Sequence, residues 1–399
     1  MGSNWSEEIE EEESDSFEEQ DKWVLEAQKL KQPGVTICKE VLRGIKLDKK
    51  EEKENNEILK EFLRSFIDEL KEVDELFNLL FKELSYEGSY YLNLRVSTPD
   101  EFDINLILKP PFEESEFEVV HQPLAPSYAK IYMKDRTIAL EKYPKLAKTL
   151  FDGGYLVPEN VRKWLQSVVD KALRTYTRKA FFIKRIRTKE AGPARTIILT
   201  KTDDTEIDID LVPVVKCLLK LPESSLDDKV KNRVGSTLEA YLVPKPYSSF
   251  GKQMPINEKE AKRLWRSHFS KAEKKIIYNK GCVKPVIKLL KFLRDKEDWK
   301  ILASYYLKTV VMWMVIENND DDYWKEDKMD NRFLDALQEL KTAVFQKKIA
   351  YLFNKEYNLL AKINDDQACN IHNRLCYFIR KIKENPEFLR NVFQEAPSF

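Results

Sequence analysis

Between Asn56 and Ser85 apolar residues fall three and four positions apart: Ile58, Leu59, Phe62, Leu63, Phe66, Ile67 and Leu70, then Leu76, Phe77 and Leu80. That rhythm predicts one long amphipathic helix running directly into Gly88-Ser89. The period then changes. "EFDINL" (from Glu101) and "TEIDIDLVPVVKCLL" (from Thr205) alternate apolar and polar positions, as "FEVVHQPL" and "ARTIILTK" do more briefly, and each predicts a strand. A helical stretch at 159–175 lies between them. From Glu258 onward the expectation is helix alone, over "KEAKRLWRSHFSKAEKKIIYN", "VKPVIKLLKFLRDK", "SYYLKTVVMWMVIE" and "NRFLDALQELKTAVFQKKIAYLF". Strands in the middle and helices at the end predict an α+β chain: a mixed-sheet lobe over 21–255 with a long spine helix, a helical lobe over 256–399, and a cleft between.

Length and composition change this picture little, since 399 residues with 42% apolar content suit two or three globular units. Charge changes it more. The 68 basic and 68 acidic residues balance, yet residues 1–20 hold nine acids and no base, which predicts a disordered acidic tail. Residues 162–201 hold twelve Lys or Arg against only Asp170 and Glu190. Such a cluster, interleaved with Tyr176, Phe181 and Phe182, suits the phosphates of a nucleic acid, and its candidate contacts are Lys171, Arg174, Arg178, Lys179, Lys184, Arg185 and Arg187. A solvated basic surface is the plainer alternative. Five scattered cysteines, with no signal-peptide pattern and no apolar run of membrane-spanning length, point to a reducing, cytoplasmic setting. Gly2 and Ser6 match the loose N-myristoylation pattern, although the acid run after them opposes an anionic membrane.

The acids in the strands carry the chemistry. Alternation puts Glu101 and Asp103 on one face and Phe102 and Ile104 on the other; it likewise groups Glu206, Asp208 and Asp210 against Ile207, Ile209 and Leu211. Acids on a core-facing side are costly without a neutralising cation. The expectation is therefore a hard oxygen ligand set for Mg²⁺ or Mn²⁺, two ions about 4 Å apart that activate an attacking hydroxyl and stabilise a leaving pyrophosphate. The Gly88-Ser89 turn adds close backbone N–H groups and a hydroxyl for a triphosphate. Strand geometry alone leaves the choice between Asp208 and Asp210 open. A wet strand face and an ordinary turn would look the same residue by residue.

In combination, a Gly-Ser pair, eleven intervening residues, Glu-Phe-Asp and a distal Asp form the pattern of the nucleotidyltransferase fold shared with polymerase beta. "GSYYLNLRVSTPDEFDINL" further resembles the cyclic GMP-AMP synthase family. The likeness continues through "AGPARTIIL", "IDIDLVP", "YLVPK", "LWRSHFSKAEKKI", "KLLKFL" and "SYYLKT", over about residues 55–365. It implies Glu101, Asp103 and Asp210 as the catalytic metal ligands for two Mg²⁺ or Mn²⁺ ions. It also implies Tyr305 stacking on a base, Lys291 and Ser304 on nucleotide phosphate, and Arg266 on a base edge. The implied activity is synthesis of a cyclic dinucleotide from ATP and/or GTP in innate immune and antiviral signalling, with a cyclic dinucleotide receptor as an indirect downstream partner and a ligand-induced oligomer compatible with it. The basic segment is then assigned to a face opposite the catalytic cleft.

Two departures qualify the resemblance. The synthase's zinc-binding insertion is missing, "SKAEKKIIYNKGCVKPVIKLL" holding a lone Cys282, and no structural zinc is expected. Cys369, His372 and Cys376 share a helical face but offer three ligands where a structural zinc takes four, so core packing is the expectation. Loss of the insertion points to double-stranded RNA ahead of double-stranded DNA, because A-form geometry can be read by shape. A catalytically silent binding module and a synthase of linear oligonucleotides remain alternatives, and base choice, linkage and oligomeric state stay open.

Overall fold

The computed structural model describes residues 36–44, 49–88, 94, 100–113, 115–122, 125, 127–135, 137, 141–177, 183–247 and 256–394. The acidic head, Gly2, Ser89, Arg178 and Lys179 lie outside the described residues.

After a short helix, Ile37–Gly44, the spine α1 (Lys49–Val73) buries Phe62, Phe66 and Leu70 along one stripe. It does not run on to 85. Asp74 leaves helical geometry and caps a new helix, α2 (Glu75–Leu80), its carboxylate accepting the Phe77 N–H at 2.8 Å. Residues 81–87, read by their spacing as helix, form strand β1 (Phe81–Glu87) instead. The reason is tertiary: β1 pairs antiparallel with β2 (Glu101–Leu108), and those backbone bonds outweigh local propensity.

The chain continues through β3 (Phe117–His121), β4 (Tyr128–Met133), the small hairpin β5 (Phe151–Asp152) and β6 (Tyr155–Leu156), and helix α3 (Pro158–Thr175). The hairpin β7 (Ile183–Ala191) and β8 (Ala194–Lys201) leads to the long β9 (Glu206–Lys220) and then β10 (Thr237–Val243). The sheet runs β1-β2-β9-β10 and onward, and forks at β9, whose first half pairs with β8 and whose second half pairs with β10. On its helix side Phe102, Ile104, Ile207, Ile209 and Leu211 are fully buried in one core with α1 and α3. Removing those side chains from water is the main term holding the spine to the sheet.

Strands do not end at 258. Trp265–His268 forms β11, which pairs with β10 and β4. Trp265 and Ser267 point inward, and Arg266 and His268 are less buried, an alternation of period two hidden inside a helix-rich stretch. Helices α4 (Ser270–Ile277), α5 (Val283–Lys296), α6 (Ser304–Glu317), α7 (Met329–Phe345) and α8 (Asp365–Glu384) follow, with a small two-stranded sheet between α7 and α8. The passage from α4 to α5 is short and keeps Cys282 buried. On α8 the expectation of core packing fails: Cys369 is exposed, while the buried stripe is Ala368, Ile371, Leu375, Phe378 and Ile382, one position round the helix. No described helix is long and apolar enough to cross a membrane.

Candidate active site

The acids of the two alternating strands meet because β2 and β9 are parallel and in register. Glu101 faces Asp208 and Asp103 faces Asp210, on neighbouring strands about 4.8 Å apart. The burial the sequence suggested is reversed in sense. Apolar Phe102, Ile104, Ile207 and Ile209 take the core side, while Glu101 is exposed and Asp103, Asp208 and Asp210 are half-buried on the open face. The acids therefore escape the full cost of burial.

Further along the same face Ile107, Val212, Val214, Ala194 and Tyr241 close a small apolar cluster, so the acids stand where the floor opens to solvent. Thr196, opposite Asp210 on β8, is buried and its hydroxyl donates to the Asp210 carboxylate. That contact fixes one oxygen of Asp210. Asp208 is held differently: Lys189 Nζ on β7 lies 2.6 Å from Asp208 Oδ2. The Asp208 hydrogen bond, and then the charges of Asp208, Asp210 and Glu101, hold the Lys189 ammonium above the usual lysine range. Sequence reasoning counted Lys189 only as one base among twelve; its signal is that its β8 partner, Thr196, is also the β8 partner of Asp210.

Gly88 closes the other side. It has φ +78°, and a Cβ there would stand 1.9 Å from Asp103 Oδ2. Only glycine fits this approach. The preceding Glu87 is buried and accepts from Ser85 at 3.2 Å, from Ser270 at 3.4 Å and from Lys274 at 3.4 Å, which ties the end of β1 to α4.

Helix α4 also gathers the nucleotide candidates. Its Glu273, 1% exposed, accepts from Lys308 at 2.6 Å and from the Tyr305 hydroxyl at 2.8 Å. Burial pushes the Glu273 carboxyl up, but the charges of Lys308 and His268 and the two hydrogen bonds outweigh it and leave the group below the usual carboxylate range. Tyr305 is half-buried rather than fully presented, and its phenol is pushed well up by burial and by Glu273. Arg266, on β11, lies over the Tyr128 ring at 5.4 Å and the Tyr357 ring at 5.9 Å. Ser304 opens α6. Lys291 is buried, and its ammonium donates to the Leu94 carbonyl at 2.6 Å.

Among the described residues the basic segment divides between two sides of the sheet. Lys171 and Arg174 belong to α3, on the helix side of the sheet, where Lys171 donates to the Val73 carbonyl. Arg185 and Arg187 lie on β7 with Lys189, on the acid-bearing face, and not opposite the cleft. There folding supplies acids that a linear count missed: Lys184 pairs with Asp204 at 2.5 Å and Arg187 with Glu206.

Among the described residues the donor set is carboxylates, with no sulfur or imidazole, and such oxygens fit a hard divalent cation. Among the described residues, however, no group of three His, Cys, Asp or Glu side chains is drawn tight enough to enclose one.

Residues 90–279 match the Mab-21 protein nucleotidyltransferase domain, and residues 282–377 match the Mab-21 protein HhH/H2TH-like domain. A cyclic GMP-AMP synthase-like receptor of Microplitis demolitor is 30% identical over 362 residues, covering 88% of this chain; the chain spans 65% of that relative's length. Receptors of the same name from Nicrophorus vespilloides (29% identical, 86% of this chain and 92% of the relative) and Trichogramma pretiosum (30%, 83% and 69%) are also similar. The acid-bearing strands thus lie inside a nucleotidyltransferase domain, and the chain belongs to the Mab-21 nucleotidyltransferase family, among the cyclic GMP-AMP synthase-like receptors.

Proposed function

We propose that this protein uses two divalent cations, Mg²⁺ or Mn²⁺, to join ATP and/or GTP into a cyclic dinucleotide for innate immune signalling, in response to double-stranded RNA. The observation that carries the reading is the parallel register of Glu101 and Asp103 with Asp208 and Asp210, closed on one side by Gly88 against Asp103. The relatives' shared name supports the product class.

In this reading Glu101, Asp103 and Asp210 hold the cations, and Asp210 is preferred to Asp208 because it faces Asp103 while Asp208 is engaged by Lys189. Bound cations would supply charge stabilisation and an activated hydroxyl. Gly88 lets the backbone approach the phosphates. Lys291 braces the segment before the acid strand through Leu94, and Tyr305, fixed by Glu273, offers a ring to a base. Arg266, held over two tyrosine rings, faces the acceptor nucleotide.

The test is incubation with labelled ATP and GTP, Mn²⁺ or Mg²⁺, and duplex RNA or DNA, followed by separation of cyclic from linear products. The Glu101→Gln, Asp103→Asn double variant should lose incorporation while keeping its melting transition. Activity in the folded double variant would reject the metal assignment, and linear product alone would reject cyclisation. Activation by DNA but not RNA would reject the proposed trigger.

A further inference from the structure

Lys189 has no place in the scheme above, yet its ammonium pairs with one of the acids of that face. It sits on β7, reaches across β8, and its Nζ lies 2.6 Å from Asp208 Oδ2. Asp208 in turn is the register partner of Glu101 and stands two residues from Asp210. A positive charge here lowers the negative potential that would attract a divalent ion, and it ties up a carboxylate next to the proposed ligands. The pair is open to solvent, with Lys189 52% and Asp208 28% exposed, so it is weak enough to yield. Arg187 provides an internal contrast: one alternate position back on β7, it pairs with Glu206, outside the facing acids.

We propose that Lys189 is an internal cation that opposes divalent metal on the carboxylate face, so that the Lys189–Asp208 pair weakens metal loading at the neighbouring Glu101, Asp103 and Asp210. This rests on the reading of Glu101, Asp103 and Asp210 as the metal site. Lys189 then raises the metal concentration at which the site fills.

The experiment is a Mn²⁺ titration of the full chain without nucleotide or nucleic acid, reading free Mn²⁺ by electron paramagnetic resonance. Lys189→Gln should bind Mn²⁺ about two- to fivefold more tightly than wild type, a gain of the size expected for an exposed ion pair, and the gain should shrink as salt rises. Arg187→Gln should match wild type. Equal affinity in Lys189→Gln and wild type, weaker binding in Lys189→Gln, or the same gain in Arg187→Gln would overturn the competition. Glu101→Gln with Asp103→Asn separates the two levels: if that variant binds Mn²⁺ as wild type does, or wild type binds none, the metal reading itself fails and takes this proposal with it. Melting transitions check that each variant folds, as expected for a residue this exposed.

Discussion

The acid face and the Glu273 cluster are two concentrations of charge joined through α4, and they are built on opposite principles. On the face, carboxylates stand side by side, half-buried or exposed, with a threonine hydroxyl and one lysine as their described partners. In the cluster a single carboxylate is sealed from water and satisfied by an ammonium and a phenol. The first arrangement gathers acids of one sign on a face open to solvent, where a cation can reach them. The second is closed to water around its own ion pair, which suits a brace that fixes Tyr305 and joins α4 to α6. Charge density alone therefore does not mark the reactive site; access to it does.

If that contrast is right, the two regions should separate activity from stability. The largest effect belongs to the acid face. In Gly88→Ala the new Cβ would collide with Asp103 Oδ2 at 1.9 Å, in a backbone conformation that side chains disfavour. Displacing one ligand by about 1 Å costs on the order of a hundredfold in rate. Nucleotide incorporation should fall by about that much, while chemical denaturation moves little. Equal losses of stability and rate would mean that Gly88 serves the fold.

Glu273→Ala should show the reverse order. It strands the Lys308 ammonium, which is buried against Glu273 at 2.6 Å, and breaking such a pair costs roughly 3–5 kcal/mol. The melting midpoint should drop by several degrees or more whether or not metal is present. The pair also carries a pH signature. Because the folded Glu273 carboxyl lies below its ordinary value, its stabilisation is complete above the usual glutamate range and is lost as pH falls through it toward the folded value. Glu273→Gln should flatten that acid limb of the stability curve. An unchanged limb would remove Glu273 from the cluster's electrostatics.

Tyr305 is held by the cluster and carries the proposed base contact, and a smaller effect tests it. Tyr305→Phe keeps the ring and removes only the bond to Glu273, so the Michaelis constant for nucleotide should rise a few-fold with turnover nearly unchanged. Tyr305→Ala should be much worse, since base stacking is worth about 1–3 kcal/mol. If Phe and Ala behave alike, the hydroxyl matters and the ring does not.

The acid pairs were legible in sequence because strand alternation is local: "EFD" and "IDID" dictate their own faces. Which side of the sheet was wet was not, since that depends on where α1 and α3 pack. Phe81–Glu87 and Trp265–His268 read as helix for the same reason, their strand state being decided by β2, β4 and β10 rather than by their own residues. The twelve-to-two excess of bases misled in a similar way. It counted along the chain, whereas Asp204, Glu206 and Asp208 arrive beside β7 only when β8 folds between them.

That last correction turns the basic segment into two rival surfaces and gives the smallest effect to measure. Arg174 on α3 stands on the helix side with no ion pair among the described residues, so it is free to meet a phosphate. Arg187 on β7 must first leave Glu206. A phosphate contact made by either arginine contributes about one unit to the salt slope of duplex binding, and neutralising it should weaken binding only a few-fold. Arg174→Gln should lower the slope for double-stranded RNA by about one, and Arg187→Gln by clearly less, because the competing carboxylate already spends part of its charge. The opposite ranking would put the duplex on the acid-bearing face, across the strands that hold the carboxylates, and would make the helix-side bases a solvated surface.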